Sequence, residues 1–336
     1  MSALSAAVIG GGSWGTTVAH LLSLSGARVT FWMRNAENAE EINRTHRNPK
    51  YSGETLLSEN IVATTDLETA VKSSPLIFLV VTSASVRQVL HDMGSYLSGN
   101  QILIHCIKGF EHSTYKRISS IIREETGIRK LGVLSGPNLA KEILIGHPGA
   151  TVVASPFAEV VRSAQDVLIS PSFRVYGHRD VIGAEIAGAL KNIIALASGM
   201  SGGLGFQHNT QSLLLTRGLV EITRFGLSQG AQASTFRGLA GMGDLIATCS
   251  SNLSRNYQVG YRVAQGESLQ SVLDSLGYVA EGVPTTRSVY HMSREMGIQM
   301  PITEGIYHIL EGHLSPREAI ETLMVREYKY EEEFSG

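Results

Sequence analysis

The chain has 336 residues, of which 43% are hydrophobic and 17% charged, and its formal net charge is −2 at pH 7. That length holds two domains, each with a sizeable core, and the composition is that of a globular chain and not a disordered one. The near-neutral balance excludes bulk attraction to nucleic acid or anionic membranes, so a phosphorylated ligand must rely on a few local cations.

The opening stretch "AAVIGGGSWGTTVAHLLSLSGA" is largely apolar, and the first Lys or Arg of the chain is Arg28. It lacks the basic n-region of a secretory leader and is interrupted by three consecutive glycines. No run of 18 apolar residues occurs elsewhere, so a cytoplasmic protein without stable membrane insertion is expected. From there the first half alternates brief apolar runs with helical patterns. The runs are "AAVIG", "RVTFW", "LIFLVV", "ILIHC" and "LGVLSG", with "ATVVAS" and "FRVYG" extending the series. Amphipathic stretches such as Val86–Leu97 and Tyr115–Thr126 lie between them. Apolar runs without strict alternation suit strands covered on both faces of a parallel sheet. Strand–helix alternation therefore predicts a doubly wound, Rossmann-type α/β domain over residues 1–180.

Residues 181–336 have another texture and predict an all-α C-terminal domain. Helical segments are expected near Gly183–Ser198, Thr210–Gln229, Leu253–Gln265, Thr285–Met296 and Pro316–Met324. "GMSGGLG" and "GLAGMGD" read as glycine-rich loops between them, and the charged tail "REYKYEEEFSG" reads as solvated or frayed. A substrate cleft is expected between the two domains.

The first turn carries a dinucleotide motif. Gly10, Gly12 and Gly15 have G-x-G-x-x-G spacing between a predicted strand and helix. Gly10 would allow the tight turn, Gly12 the approach of a pyrophosphate and Gly15 close helix–strand packing. The helix N-terminus supplies N–H donors and a partial positive charge. Where an NAD-binding chain carries an acid, "FWMRN" offers Arg34, nineteen residues after Gly15. Arg34 either pairs with the 2′-phosphate of NADP(H) or is a solvated surface side chain. NADP(H) is the expected preferred cofactor, with NAD(H) possible.

Three polar clusters could carry chemistry. Lys108, in "IHCIKGFE", follows a strand near the expected carboxyl edge of the sheet, outside which ligands of such folds bind. Lys191 and Asn192 interrupt the otherwise small or apolar "GALKNIIALASG". "GLAGMGDLIATCSSNLSRNYQVG" carries Asp244, Thr248, Ser254, Arg255 and Asn256. Ser254-Arg255-Asn256 reads equally as an anion site or as a serine N-cap beside an exposed arginine. Lys191 is either a core lysine snorkelling to solvent or a proton donor of lowered pKa at the mouth of the cleft. Two nearby lysines would depress at least one pKa, and Asp244 could orient or neutralise the pair. Cys106 and Cys249 form no CxxC unit and no HExxH pair occurs, so neither a disulfide framework nor a metal site is expected.

Taken together, "IGGGSWGTTVA", "KGFE", "SGPNLAKE", "EIAGALKNIIALASG", "TRGLVEITRFG", "TFRGLAGMGDLIATC", "SRNYQVG" and "VAEGVPT" closely resemble the bacterial-type NAD(P)-dependent glycerol-3-phosphate dehydrogenase family, over nearly the whole chain and in order. The resemblance implies reversible reduction of dihydroxyacetone phosphate to sn-glycerol 3-phosphate, the backbone of glycerophospholipids, and often a homodimer. It places Lys191 at the catalytic lysine position, as proton donor in reduction and acceptor in oxidation. It puts Lys108 near both nicotinamide and substrate. Gly136, Asn138, Asp244, Ser254, Arg255 and Asn256 match substrate positions, and Asn192 and Thr248 are expected to line the same pocket. Ser13, Trp14, Arg34, Ala140, Arg255, Val279 and Glu281 match cofactor positions. The chain departs from the family where Asn138 replaces the usual Ser or Thr. It departs again where Gly203 replaces an acidic residue before "GLG", which predicts a different loop after the lysine helix. Two other readings are a related dehydrogenase acting on a different small acid or sugar acid, and a dinucleotide sensor without turnover. The "SRN" site disfavours the first, and the two lysines with Asp244 disfavour the second.

Overall fold

The computed structural model describes residues 4–277 and 280–325. Eight strands form one sheet: β1 (Ser5–Ile9), β2 (Arg28–Trp32), β3 (Ile61–Thr64), β4 (Leu76–Leu79), β5 (Ile102–His105), β6 (Lys130–Ser135), β7 (Gly149–Ala154) and β8 (Phe173–His178). Their order is β3-β2-β1-β4-β5-β6-β7-β8, and every pairing is parallel except β6 with β7. Each apolar run foreseen from the sequence is one of these strands. β3 was not foreseen: it is a four-residue edge strand with Val62 58% exposed, too short and too open to leave an apolar run.

Both faces of the sheet are covered, which is why its strands are apolar without alternation. Ala6, Val8, Phe31, Phe78 and Ile104 pack on one side with the helices Ser13–Leu24 and Ala158–Leu168. Ala7, Ile9, Ile77, Leu79 and Leu103 pack on the other with Val86–Gly94 and Ile118–Glu125.

The C-terminal half is helical and is built around Val181–Gly203, the helix that carries Lys191. Asp180 caps it by accepting from the Gly183 N–H at 2.9 Å. By length and composition this helix could cross a membrane, but 89% of its apolar window is buried against its own chain. His208–Ser228, Asp244–Cys249, Arg255–Ala264, Gly282–Glu295 and Pro301–Leu310 surround it, and Pro316–Met324 closes the half with a capping box from Ser315. Val133, Val152, Ala154, Ala184 and Ala240 join the two halves.

Two expected loops are helical. "GMSGG" completes the Lys191 helix to Gly203, and "LAGMG" is a π-helical turn leading into Asp244–Cys249. The glycines in the first segment are there for packing. A Cβ on Gly199 would stand 2.0 Å from the Tyr257 carbonyl oxygen, and one on Gly260 would stand 2.0 Å from that of Leu196. The Lys191 and Arg255 helices therefore cross backbone to backbone. A Cβ on Gly203 would likewise stand 2.6 Å from the Tyr261 carbonyl oxygen, so an acidic side chain there would have no room. The residue directly before "GLG" is Gly202 and not Gly203, and a Cβ on Gly202 would stand 2.4 Å from the Tyr257 hydroxyl oxygen. The tail from Arg326 onward lies outside the described residues.

Candidate active site

The sheet brings the turns that follow β1, β2, β4, β5 and β6 to one carboxyl edge. Strand order reverses between β1 and β4, which is where such sheets open a crevice for ligands. Gly10 has φ 129°, and a Cβ on it would meet the Val80 carbonyl oxygen at 2.2 Å. One on Gly15 would stand 1.8 Å from the Gly10 oxygen, so the helix sits directly on the turn. A Cβ on Gly12 would meet nothing within 4 Å. Gly12 is also the N-cap of Ser13–Leu24, with no side-chain cap and no acid in the first turn. The turn thus presents unobstructed N–H donors to an anion, as a pyrophosphate requires. Trp14 is half-buried against the core, and burial pushes the pKa of the nearby Cys106 thiol up to about 12. Arg34 lies just past the end of β2 and is exposed.

Beyond β5 the second constellation forms. Lys191 Nζ donates to Asp244 Oδ1 and to Thr248 Oγ1, both at 2.5 Å. Lys108 Nζ donates to Asp244 Oδ2 at 2.5 Å and to the Gly136 carbonyl at 3.1 Å. One carboxylate therefore bridges two ammonium groups. Thr248 Oγ1 in turn donates to the Asp244 carbonyl at 2.7 Å. Lys191 is 6% exposed, so it lies on the floor of the site and not at its mouth as the sequence suggested. Asp244 and Thr248 draw it inward, and a snorkelling lysine would point the other way. Burial lowers its pKa to about 8, Asp244 opposing and Lys108 reinforcing that shift.

Around this centre the other expected residues take distinct places. Ser254 caps the Arg255 helix by accepting from the Tyr257 N–H at 3.3 Å. That is the capping reading, yet a hydroxyl that accepts from a helix still has a hydrogen to donate. Arg255 is exposed at the first helical position. Asn256 Nδ2 donates to Asn192 Oδ1, and Asn256 Oδ1 accepts from the Gly282 N–H, both at 2.9 Å. Asn256 thus braces three helices together, one of them through Asn192 beside Lys191. Asn138 Nδ2 donates to Thr151 Oγ1 at 3.0 Å, while Thr151 is itself committed to the Ser135 carbonyl. That fixes the amide and leaves the buried Asn138 Oδ1 without a protein donor. The Ala140 carbonyl accepts from Thr17 Oγ1 at 3.3 Å and ties its short helix to the dinucleotide turn's helix.

Glu281 reaches across to the edge of the sheet. Its Oε2 accepts from Ser83 Oγ at 2.5 Å and its Oε1 from the Ser83 N–H at 3.1 Å. Val279 lies outside the described residues. Sequence reasoning did not name Ser83, Thr151 or Ser135. Ser83 follows β4 at the carboxyl edge, a position that could have singled it out. Thr151 could not have been found, because it meets Asn138 only through the antiparallel β6–β7 pairing. Two cavities of about 320 Å³ lie elsewhere, one lined by Tyr290, Arg294 and Glu304 and the other by Ser155, Arg162 and Arg179. Among the described residues no group of three His, Cys, Asp or Glu side chains could hold a metal ion.

Residues 5–161 match the NAD-dependent glycerol-3-phosphate dehydrogenase N-terminus and residues 180–321 the corresponding C-terminus. The glycerol-3-phosphate dehydrogenase [NAD(P)+] of Geobacillus kaustophilus is 43% identical over 97% of this chain and 95% of its own length. That of Staphylococcus saprophyticus is 43% identical over 96% and 98%. The crystal structure of glycerol-3-phosphate dehydrogenase from Coxiella burnetii superposes with a TM-score of 0.92 at 31% identity, covering 96% of this chain and 99% of the other. D-mandelate dehydrogenase, at 10% identity and a TM-score of 0.57, shares the fold alone. The chain belongs to the NAD-dependent glycerol-3-phosphate dehydrogenase family.

Proposed function

We propose that this chain catalyses the reversible, NAD(P)H-dependent reduction of dihydroxyacetone phosphate to sn-glycerol 3-phosphate, with Lys191 as proton donor and acceptor. The observation that carries the assignment of Lys191 is its position on the site floor, bridged through Asp244 to Lys108. When bound, the nicotinamide supplies hydride chemistry. Gly10, Gly12, Ser13, Trp14 and Gly15 would hold the dinucleotide, with Arg34, Ala140, Arg255, Val279 and Glu281 as further contacts. The open Gly12 cradle fits a pyrophosphate and supports that reading. Exposed Arg34 and the missing acid after β2 support a preference for the 2′-phosphorylated cofactor.

Lys191 Nζ would give its proton to the carbonyl oxygen as that oxygen becomes an alkoxide, and take it back in oxidation. A pKa of about 8 matches both tasks near neutrality. Asp244 holds the two ammonium groups in register, and Lys108 adds positive charge where the oxygen turns negative. Ser254, Arg255, Asn256 and the free N–H donors of their helix would receive the phosphate. Asn192, Thr248, Gly136 and Asn138 would complete the substrate wall, Asn138 offering an acceptor where the family usually offers a hydroxyl.

In this division of labour residues 1–180 hold most of the dinucleotide and 181–336 most of the substrate site, with Arg255, Val279 and Glu281 reaching to the first and Lys108, Gly136 and Asn138 to the second. A cytoplasmic homodimer is part of the same proposal. The two buried free thiols support the compartment, and the family resemblance supports the dimer, which light scattering in solution would test. The decisive assay follows NADPH oxidation on addition of dihydroxyacetone phosphate. Lys191→Ala should abolish turnover while cofactor binding survives, and a wild-type rate in that variant would overturn the role of Lys191. Turnover with another carbonyl compound alone would favour a related dehydrogenase. Dinucleotide binding without any turnover would favour a sensor.

A further inference from the structure

One layer below the lysine pair, the helix that carries Lys191 places a second carboxylate, Glu185, only 5% exposed. It stands six residues before Lys191. Its Oε1 accepts from the Ser119 N–H and its Oε2 from Ser119 Oγ, both at 2.7 Å. Arg117 Nη1 donates to the same Oε2 at 2.7 Å and to Ser119 Oγ at 2.9 Å. His105 Nε2, on a fully buried imidazole, lies 3.3 Å from Oε1. The helix Ile118–Glu125 has no side-chain cap of its own, so Glu185 satisfies one of its orphan donors from outside.

These partners are the two ends of one loop. His105 is the last residue of β5, and Lys108 follows three positions later. The chain then turns and returns, Phe110 bridging to Arg117 and the Glu111 N–H donating to the Lys116 carbonyl at 3.0 Å. Arg117 and Ser119 stand where the loop re-enters the fold. We propose that Glu185 is a positioning residue for the reaction: a single buried carboxylate on the Lys191 helix hydrogen-bonds Arg117 and Ser119 at one end of the loop that carries Lys108 and abuts His105 at the other, at 3.3 Å without a hydrogen bond, fixing where the two ammonium groups stand relative to each other. Asp244 joins the lysines at their tips, and Glu185 joins their supporting elements at the root. A clamp of this kind needs Glu185 ionised. Burial alone would raise its pKa, but His105, Arg117 and Ser119 outweigh that and hold it well below the ordinary carboxylate range.

A merely structural ion pair would affect stability and leave the chemistry alone. A clamp affects the geometry of Lys191 and Lys108, to which proton transfer is sensitive. The proposal rests on the reductase reading above, so its test has one readout that needs no turnover. Wild type, Glu185→Gln and Ser119→Ala are compared for steady-state reduction of dihydroxyacetone phosphate by NADPH. The Lys191 titration midpoint is followed in parallel by 13Cε-lysine NMR, with Lys191→Met assigning the resonance. Glu185→Gln should lower kcat about tenfold with the KM for NADPH within about twofold. Its Lys191 midpoint should rise from about 8 as the site loosens and water reaches the ammonium. Ser119→Ala, which deletes one hydroxyl from the clamp, should move both quantities the same way by less. If Glu185→Gln does not fold, Ser119→Ala decides by the same two measures. Folded variants whose kcat and Lys191 midpoint both equal those of wild type would overturn the clamp. Wild-type protein that does not turn over would instead refute the reductase reading, and the midpoints would still judge the clamp.

Discussion

The glycine turn after β1 and the lysine cluster beyond β5 do complementary jobs by opposite means. The turn works with backbone: Gly10, Gly12 and Gly15, three of the four glycines in six residues, shape a cradle whose donors are peptide N–H groups. The cluster works with side chains that are 83, 53 and 136 positions apart, taking Lys108 to Lys191, Lys191 to Asp244 and Lys108 to Asp244. The first is fixed by local sterics. The second exists only once the helical half has packed on the sheet. Damage to the turn should therefore appear in cofactor affinity, and damage to the cluster in the chemical step and its pH dependence.

Lys191→Met tests that contrast most severely. A positioned general acid contributes on the order of 10²–10⁴ in rate, so kcat should fall about a thousandfold while the Kd for NADPH stays within about twofold. Loss of cofactor binding in step with kcat would erase the distinction between the two regions. In wild type the pH profiles should oppose each other. Reduction needs protonated Lys191, so its rate should fall as pH rises through about 8, whereas oxidation needs the neutral amine and should rise through about 8.

Asp244→Asn comes next. It removes the only carboxylate seen on either ammonium group among the described residues and leaves Lys108 repelling Lys191. The Asp244 charge raises the Lys191 pKa and Lys108 lowers it, so the reductive profile should break below 8. The rate should drop about a hundredfold even at the new optimum. An unchanged break would mean that Asp244 does not set the lysine's titration.

How much of this was legible in the sequence follows the same division. The turn could be read in place, because Gly10, Gly12 and Gly15 act within one strand–turn–helix unit. Lys191 could be noticed but not placed: periodicity gives a buried position, and only Asp244 and Thr248 decide where Nζ points. The same limit explains the misread glycines. In one chain segment Gly199, Gly202 and Gly203 look like a break, since glycine weakens an isolated helix. Their reason lies across the crossing, where Tyr257, Tyr261 and Ala264 leave no space for a Cβ. The Glu185 clamp was invisible for a related reason, because its partners come from β5 and from the start of another helix.

Two glycines of the turn itself sharpen the contrast at smaller scale. Gly12→Ala adds a methyl group that meets no protein atom within 4 Å, at a backbone φ of −79° that alanine accepts. Thermal stability should hold to within about 2 °C, an N-cap effect of a few tenths of a kcal/mol, while the KM for NADPH rises at least about tenfold. Gly15→Ala sets a methyl group against the Gly10 carbonyl oxygen and should cost about 2 kcal/mol or more of stability. Equal Tm losses in the two variants would show that Gly12 is a packing residue and not a cradle.

Arg34→Ala should have the smallest effect and the most selective one. The side chain is exposed just beyond β2, so removing it leaves core and lysine cluster untouched. An exposed arginine–phosphate contact is screened by water and salt, which limits its worth to about 1–2 kcal/mol, or roughly tenfold in affinity. The KM for NADPH should therefore rise about tenfold, with kcat and the KM for NADH unchanged. Raising the ionic strength should shrink the wild-type preference toward that of the variant, since the contact is electrostatic and lies at the surface. If both cofactors suffer equally, Arg34 stacks on the adenine they share. If neither does, the absence of an acid after β2 is all that the turn contributes to cofactor choice.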